Sequence, residues 1–223
     1  MKKSKNIIKL PEVFKKYIEN NIKEYLLITI IFIIGLFAGV VFINNCRQEN
    51  QEQISSYIEE FIEKFKDMES IEKGSLSIGA IKSNIGLVII LWLAGTTVIG
   101  VPIVLGIILF RGFCLGFTIS SVTYTIGTTK GIAFCLSALF LKNMLFIPAI
   151  ITLGVSSIKL YKSIMKDRRK DNIKLEIVRH TIISGLMLFI IIIGVILDAQ
   201  ISIFILHKVI KYFWKFNENY LQF

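Results

Sequence analysis

Asp198 and Lys142, the latter followed by Asn143, are charged side chains inside apolar runs. A lone charge near the centre of a bilayer costs roughly 2.5–3.5 kcal/mol on insertion scales, so such groups face protein or water and have a partner. Lys142, Asn143 and Asp198 therefore form a candidate intramembrane polar cluster, with snorkelling of Lys142 to an interface as the alternative. Other chemistry is sparse. The chain has no His-Glu-x-x-His helix, no phosphate-binding Gly-x-x-x-x-Gly-Lys loop and no nucleophile elbow. Its two histidines, His180 and His207, lie near the ends of apolar runs and read as interfacial residues. No Ser–His pair stands at workable spacing, and no enzyme activity, cofactor or metal is expected.

Those residues have to be positioned by membrane helices. Apolar residues make up 54% of the 223 and charged residues 19%. A water-soluble domain of this size has too little interior for so much aliphatic surface. Three cysteines, two of them within apolar runs, argue against a disulfide-stapled module. Aromatic content of 12% and only three prolines argue against disorder. The expected class is an all-α, polytopic integral membrane protein of net charge +10.

A helix needs about 20 apolar residues to cross the hydrocarbon core. Five such crossings are expected, at about 25–43, 84–100, 102–126, 131–157 and 180–205. The apolar stretch 85–126 holds one charge, Arg111, and is about twice the length of one crossing. A turn at Gly100-Val101-Pro102 divides it best, because proline is harmless where a helix begins. The fourth crossing is interrupted by Lys142-Asn143 and by Pro148. No period-two alternation supports a barrel. The first apolar run lacks a leader's cleavage site and reads as an uncleaved anchor.

Loop charges orient these crossings. Segment 1–24 carries seven lysines, and loop 158–179 carries eight Lys/Arg against three acids, so both read as cytoplasmic. Loop 44–83 is net acidic and reads as external. The tail, 207–223, is basic where an external segment is expected, and its Tyr212, Phe213, Trp214 and Phe216 suit a segment lying along the interface. Beside a membrane anchor the basic N-terminus is not read as a nucleic-acid site. The partner it meets is the lipid bilayer.

Two amphipathic helices flank the first crossing. From Pro11 to Tyr25, the residues Phe14, Tyr17, Ile18, Ile22 and Tyr25 share one face, as expected of a cytoplasmic interfacial helix. From Gln51 to Ile71, the residues Ile54, Ile58, Phe61, Phe65 and Met68 recur at spacings of four and three among acids. This external stripe either rests on the protein's own membrane helices or docks a partner outside the membrane. Within the crossings, Gly35/Gly39 and Gly112/Gly116 have the small-x-x-x-small spacing that lets helix backbones approach, within one chain or between copies of a homo-oligomer.

Three segments in order resemble the stage II sporulation protein M family. Lys142-Asn143 through Ile147-Pro148-Ala149 to Gly154 is similar to that family's asparagine…isoleucine-proline-alanine…glycine stretch. Gly112-Phe113-Cys114-Leu115-Gly116-Phe117-Thr118, following Gly100-Val101-Pro102, resembles its Gly-Phe-x-x-Gly-Phe-Thr run. Ile196-Leu197-Asp198-Ala199-Gln200-Ile201-Ser202 is similar to its isoleucine-glutamate-alanine stretch, with Asp198 for glutamate, Gln200 for an aromatic and Ile203 for a proline. The resemblance covers about 10–206. It implies a multi-pass protein of the bacterial plasma membrane that acts in endospore formation, located at the sporulation septum and engulfing membrane of the mother cell. It also implies a scaffold that recruits two cell-wall hydrolases, stage II sporulation proteins D and P, so that peptidoglycan is remodelled during engulfment. The competing class is a permease-like subunit of an ABC-type exporter, to which the family is distantly similar. In that case the chain requires a separate ATPase, having no phosphate loop of its own.

Overall fold

In the computed structural model the protein is all-helical, and residues 10–67, 73–97, 100–166 and 173–197 are described. The described residues form seven helices in order: α1 (Leu10–Asn20), α2 (Ile22–Asn44), α3 (Gln48–Asp67), α4 (Lys73–Gly95), α5 (Gly100–Ile126), α6 (Thr128–Lys166) and α7 (Ile173–Leu197). The long, apolar stretches are Ile22–Asn44, Gly100–Ile126, Asn143–Met165 and Ile173–Leu197, and α4 adds a shorter one, Lys82–Gly95. The first of these outward-facing surfaces shows its solvent. Leu26, Ile30, Ile34, Phe37 and Val41 of α2 are all exposed, and a surface so continuously apolar belongs in lipid.

Helices α2 and α5 pack most closely and run parallel. Phe32 and Leu36 lie against Gly112 and Gly116, while Gly35 and Gly39 lie against Leu109 and Phe113, so residue numbers rise together along both helices. Two helices that cross in the same direction require the chain between them to return, and α4 makes that return. Its last turn lies against Ser157 and His180. The α5–α6 connection is a single residue, Gly127, whose φ of 85° is a left-handed conformation that favours glycine. It reverses the chain sharply, and Gly131 packs back on Thr123.

α6 is the central column. From Ala149 to Leu160 nearly every side chain is buried, and the main core gathers Ile28 and Phe32 (α2), Leu91 (α4), Val104 and Ile108 (α5), Ile150 and Leu153 (α6), and Ile191 (α7). Gly154 leaves room where Ile28 and Ile108 meet the column. The expected interruptions at Lys142-Asn143 and Pro148 do not break this helix, which continues past Ser157 to Lys166. Pro148 lies on the exposed side of the helix, and Thr152 donates a 2.8 Å hydrogen bond to the Pro148 carbonyl. No Gly or Pro follows Ser157 to stop it before Lys166.

The expected interfacial helix also differs. It breaks at Asn21, whose φ of −126° and ψ of 26° are not helical, and whose side-chain amide donates to the Tyr17 carbonyl at 2.6 Å. That break shifts the phase of the face. Tyr17 and Tyr25 pack against the core, while Ile18 and Ile22 remain exposed.

The two ends of the bundle differ in charge. At one, Lys162 pairs with Glu24 at 2.5 Å and the Lys159 ammonium stands 5.1 Å from the centroid of the Tyr17 ring, uniting the two basic segments. At the other lies the acidic helix α3.

Candidate interaction site

Helix α3 is fixed to the acidic end by three kinds of contact. Gln51 donates to the Ile43 carbonyl at 2.8 Å, which folds α3 back on the end of α2. The Thr125 and Ser55 hydroxyls lie 3.1 Å apart, with Thr125 donating to Ser55. Ile58 packs on a small core of Val122, Phe134 and Cys135 from α5 and α6. Ile54 and Ile58 are thus half-buried, so this part of the stripe rests on the protein itself. Phe61 is 50% exposed, and Tyr57, which the apolar pattern did not include, is 71% exposed. Tyr57 and Phe61 are four residues apart and share a helical face among Glu59, Glu60 and Glu63. The Phe65 side chain and Met68 lie outside the described residues.

The four glycines of the small-residue pairs lie together in the α2–α5 seam. A Cβ built on any of them meets the opposing backbone: Gly35 the Leu109 carbonyl, Gly39 that of Phe113, Gly112 that of Phe32 and Gly116 that of Leu36. This reciprocal arrangement places Cα–H groups of each helix against carbonyls of the other, a contact worth about 0.5–1 kcal/mol apiece. Beside the seam, Phe42, Phe113 and Phe117 form an aromatic cluster with centroids 5.7 to 6.2 Å apart.

The intramembrane polar cluster is only partly visible. Asn143 is half-buried in α6. The Lys142 side chain and the whole of Asp198 lie outside the described residues, so their pairing does too.

Two polar features were missed by sequence reasoning. At the basic end, His180 is 1% exposed rather than interfacial. Its Nδ1 is 2.9 Å from the Ser156 hydroxyl, and its Nε2 is 3.4 Å from the Trp92 carbonyl. Gly95 and Ser157 close in on the same ring. Trp92 donates its indole N–H to Thr181 at 3.1 Å, tying α4 to α7 a second time. Tyr17 covers the layer from α1. Its hydroxyl is buried without a hydrogen-bond partner, and burial, reinforced by Tyr25, pushes its pKa up to about 12. The Ser156 hydroxyl lowers that pKa from nearby without meeting hydrogen-bond geometry. A Ser–His contact is the first half of a nucleophilic dyad, but here both members are buried where α1, α4, α6 and α7 meet. The arrangement works as a clasp joining α1, α4, α6 and α7. The second missed feature is the setting of Arg111, whose guanidinium carbon stands 5.3 Å from the centroid of the Phe146 ring.

The residues that carry packing in this bundle are those of the sequence motifs. Gly112 and Gly116 make the seam, and Ala149 and Gly154 sit buried in the central column. A family model, Stage II sporulation protein M, matches residues 28–203. The chain belongs to the stage II sporulation protein M family. Neither the curated proteins nor the solved structures contain a match to it. The stage II sporulation protein M match takes in most of α2 and all of α3 to α7. Helix α1, with Tyr17, lies before the matched residues.

Proposed function

We propose that this sporulation membrane protein is a scaffold that recruits peptidoglycan hydrolases, stage II sporulation proteins D and P, to the septum during engulfment. Family membership supports the setting, and the exposed Tyr57–Phe61 face of α3 supports the mode. Helix α3 is anchored by one side and presents an aromatic pair on the other, at the end of the bundle opposite the basic segments. Basic segments remain in the cytoplasm, which puts α3 on the wall side. Tyrosine and other aromatic anchors carry much of the energy at protein interfaces. On this reading the hydrolytic chemistry belongs to the partners.

The test is affinity purification from sporulating cells in mild detergent. Wild-type protein should recover the wall hydrolases, and a Tyr57→Ser/Phe61→Ser variant should accumulate in the membrane but lose them. Unchanged recovery by the variant would sink the docking role. Recovery of an ATPase in their place would favour the exporter-permease reading.

A further inference from the structure

Arg111 is a charge that no described residue of the bundle neutralises. It is the twelfth residue of the 27-residue helix α5, about 16 Å from one end and about 22 Å from the other at 1.5 Å per residue. Centred in a hydrocarbon core about 30 Å thick, it lies about 11 Å inside the nearer edge, beyond the reach of an extended arginine. Its neighbours give it little. Phe146 offers a ring face to the guanidinium, which satisfies charge but accepts none of its five N–H donors. Among the described residues no carboxylate pairs with it and no oxygen accepts from it.

Nor is Arg111 enclosed. It is half-buried, in a stripe of Ile107, Arg111, Cys114 and Thr118 at spacings of four, three and four along α5. Ile107 and Cys114 are half-buried as well, and Thr118 is exposed. The Thr118 hydroxyl is turned onto its own helix, donating to the Cys114 carbonyl at 2.8 Å. Ile107 packs in part against the core, and the exposed sides of Arg111, Cys114 and Thr118 form a strip on which another helix can lie. Intramembrane charges are as a rule paired or facing water.

We propose that the Ile107–Arg111–Cys114–Thr118 stripe docks a partner transmembrane helix that carries an aspartate or glutamate near its middle. A carboxylate at that depth can accept two parallel N–H bonds from the guanidinium while Phe146 backs the cation. A lipid phosphate is a poorer match, because it has to descend about 11 Å into hydrocarbon to meet the same donors. A second copy of this chain that pairs α5 with α5 brings another arginine to the same depth. The site is inside the membrane and distinct from the α3 face, so it stands whether or not hydrolases are the partners there.

The experiment uses full-length protein in zwitterionic nanodiscs and labelled synthetic leucine/alanine helices with glutamate, leucine or lysine at the centre. Wild-type protein should bind the glutamate helix about tenfold more tightly than the leucine helix, a difference of about 1.4 kcal/mol, and should reject the lysine helix. Arg111→Leu removes an inserted charge and should fold at least as well, yet it should lose the tenfold preference. Arg111→Glu should reverse it, preferring the lysine helix. Equal binding of glutamate and leucine helices, or a preference that survives Arg111→Leu, overturns the proposal. So does a glutamate preference abolished by anionic lipid, which assigns Arg111 to lipid, or Arg111-dependent self-association without probe binding, which assigns it to a second copy.

Discussion

His180 and Ser156, 24 residues apart in the chain, meet at 2.9 Å in the buried layer where α1, α4, α6 and α7 converge. Replacing either leaves a polar group stranded away from water, at a cost of roughly 1–3 kcal/mol. His180→Phe should therefore lower the thermal midpoint in detergent. Ser156→Ala should lower it less, because the Trp92 carbonyl still faces the ring. The double variant should be less destabilised than the sum of the two, since neither orphan is then left. Strict additivity in a double-mutant cycle would show that the contact contributes nothing.

Tyr17 gives a prediction with pH. Its phenol is held neutral by burial, with the pKa moved from 10.0 to about 12. The folded pKa is the higher one, so this contribution is fully present below about pH 10 and is lost as pH rises towards about 12. Tyr17→Phe removes a buried hydroxyl that has no partner. It should be neutral or slightly stabilising at pH 7 and should flatten the loss of stability between about pH 10 and 12. The measurement is thermal unfolding against pH for both proteins. A Phe variant with an unaltered alkaline slope contradicts the burial of this phenol.

The glycine seam separates two kinds of glycine. Gly35→Ala or Gly116→Ala places a methyl group against backbone, which cannot yield as a flexible side chain can, and should cost at least roughly 1–3 kcal/mol. Gly106, in the same helix as Gly116, has open space around a built Cβ. Gly106→Ala should accumulate in the membrane like the wild type. Equal accumulation of all three variants in membrane fractions would contradict the close α2–α5 approach.

The sequence made some of this legible and hid the rest for physical reasons. Small-residue spacing is a local property that survives into packing, which is why Gly35, Gly39, Gly112 and Gly116 could be picked out in advance. The all-helical membrane class followed from composition, the lengths of the apolar runs and the lack of period-two alternation. The partition of the α3 stripe was not legible, because periodicity shows a face but not its occupant; Ile58 packs on Phe134 and Cys135, while Tyr57, outside the apolar pattern, is exposed beside Phe61. The clasp was hidden by distance. Ser156 and His180 flank a basic loop, and nothing local says that a boundary histidine turns inward. Helix α1 failed at a single residue, Asn21, whose backbone break rotates everything after it. Arg111 was visible as a charge inside the expected crossing 102–126, but its contact with the Phe146 ring, on the next helix, was not.

Orientation is a separate prediction. In a cysteine-free background, Ser56→Cys on α3 should react with an impermeant maleimide in intact cells. Lys174→Cys, near the start of α7, should react only after the membrane is permeabilised. The reverse pattern would place α3 in the cytoplasm and remove it from the wall.

The central claim is that α3 presents Tyr57 and Phe61 to a wall hydrolase. A photo-crosslinking amino acid placed at position 57 or 61 and illuminated in sporulating cells reads this contact directly. The account predicts covalent adducts with a peptidoglycan hydrolase from both positions and none from position 174 at the basic end. Adducts with an ATPase, or hydrolase adducts from position 174 alone, would contradict it.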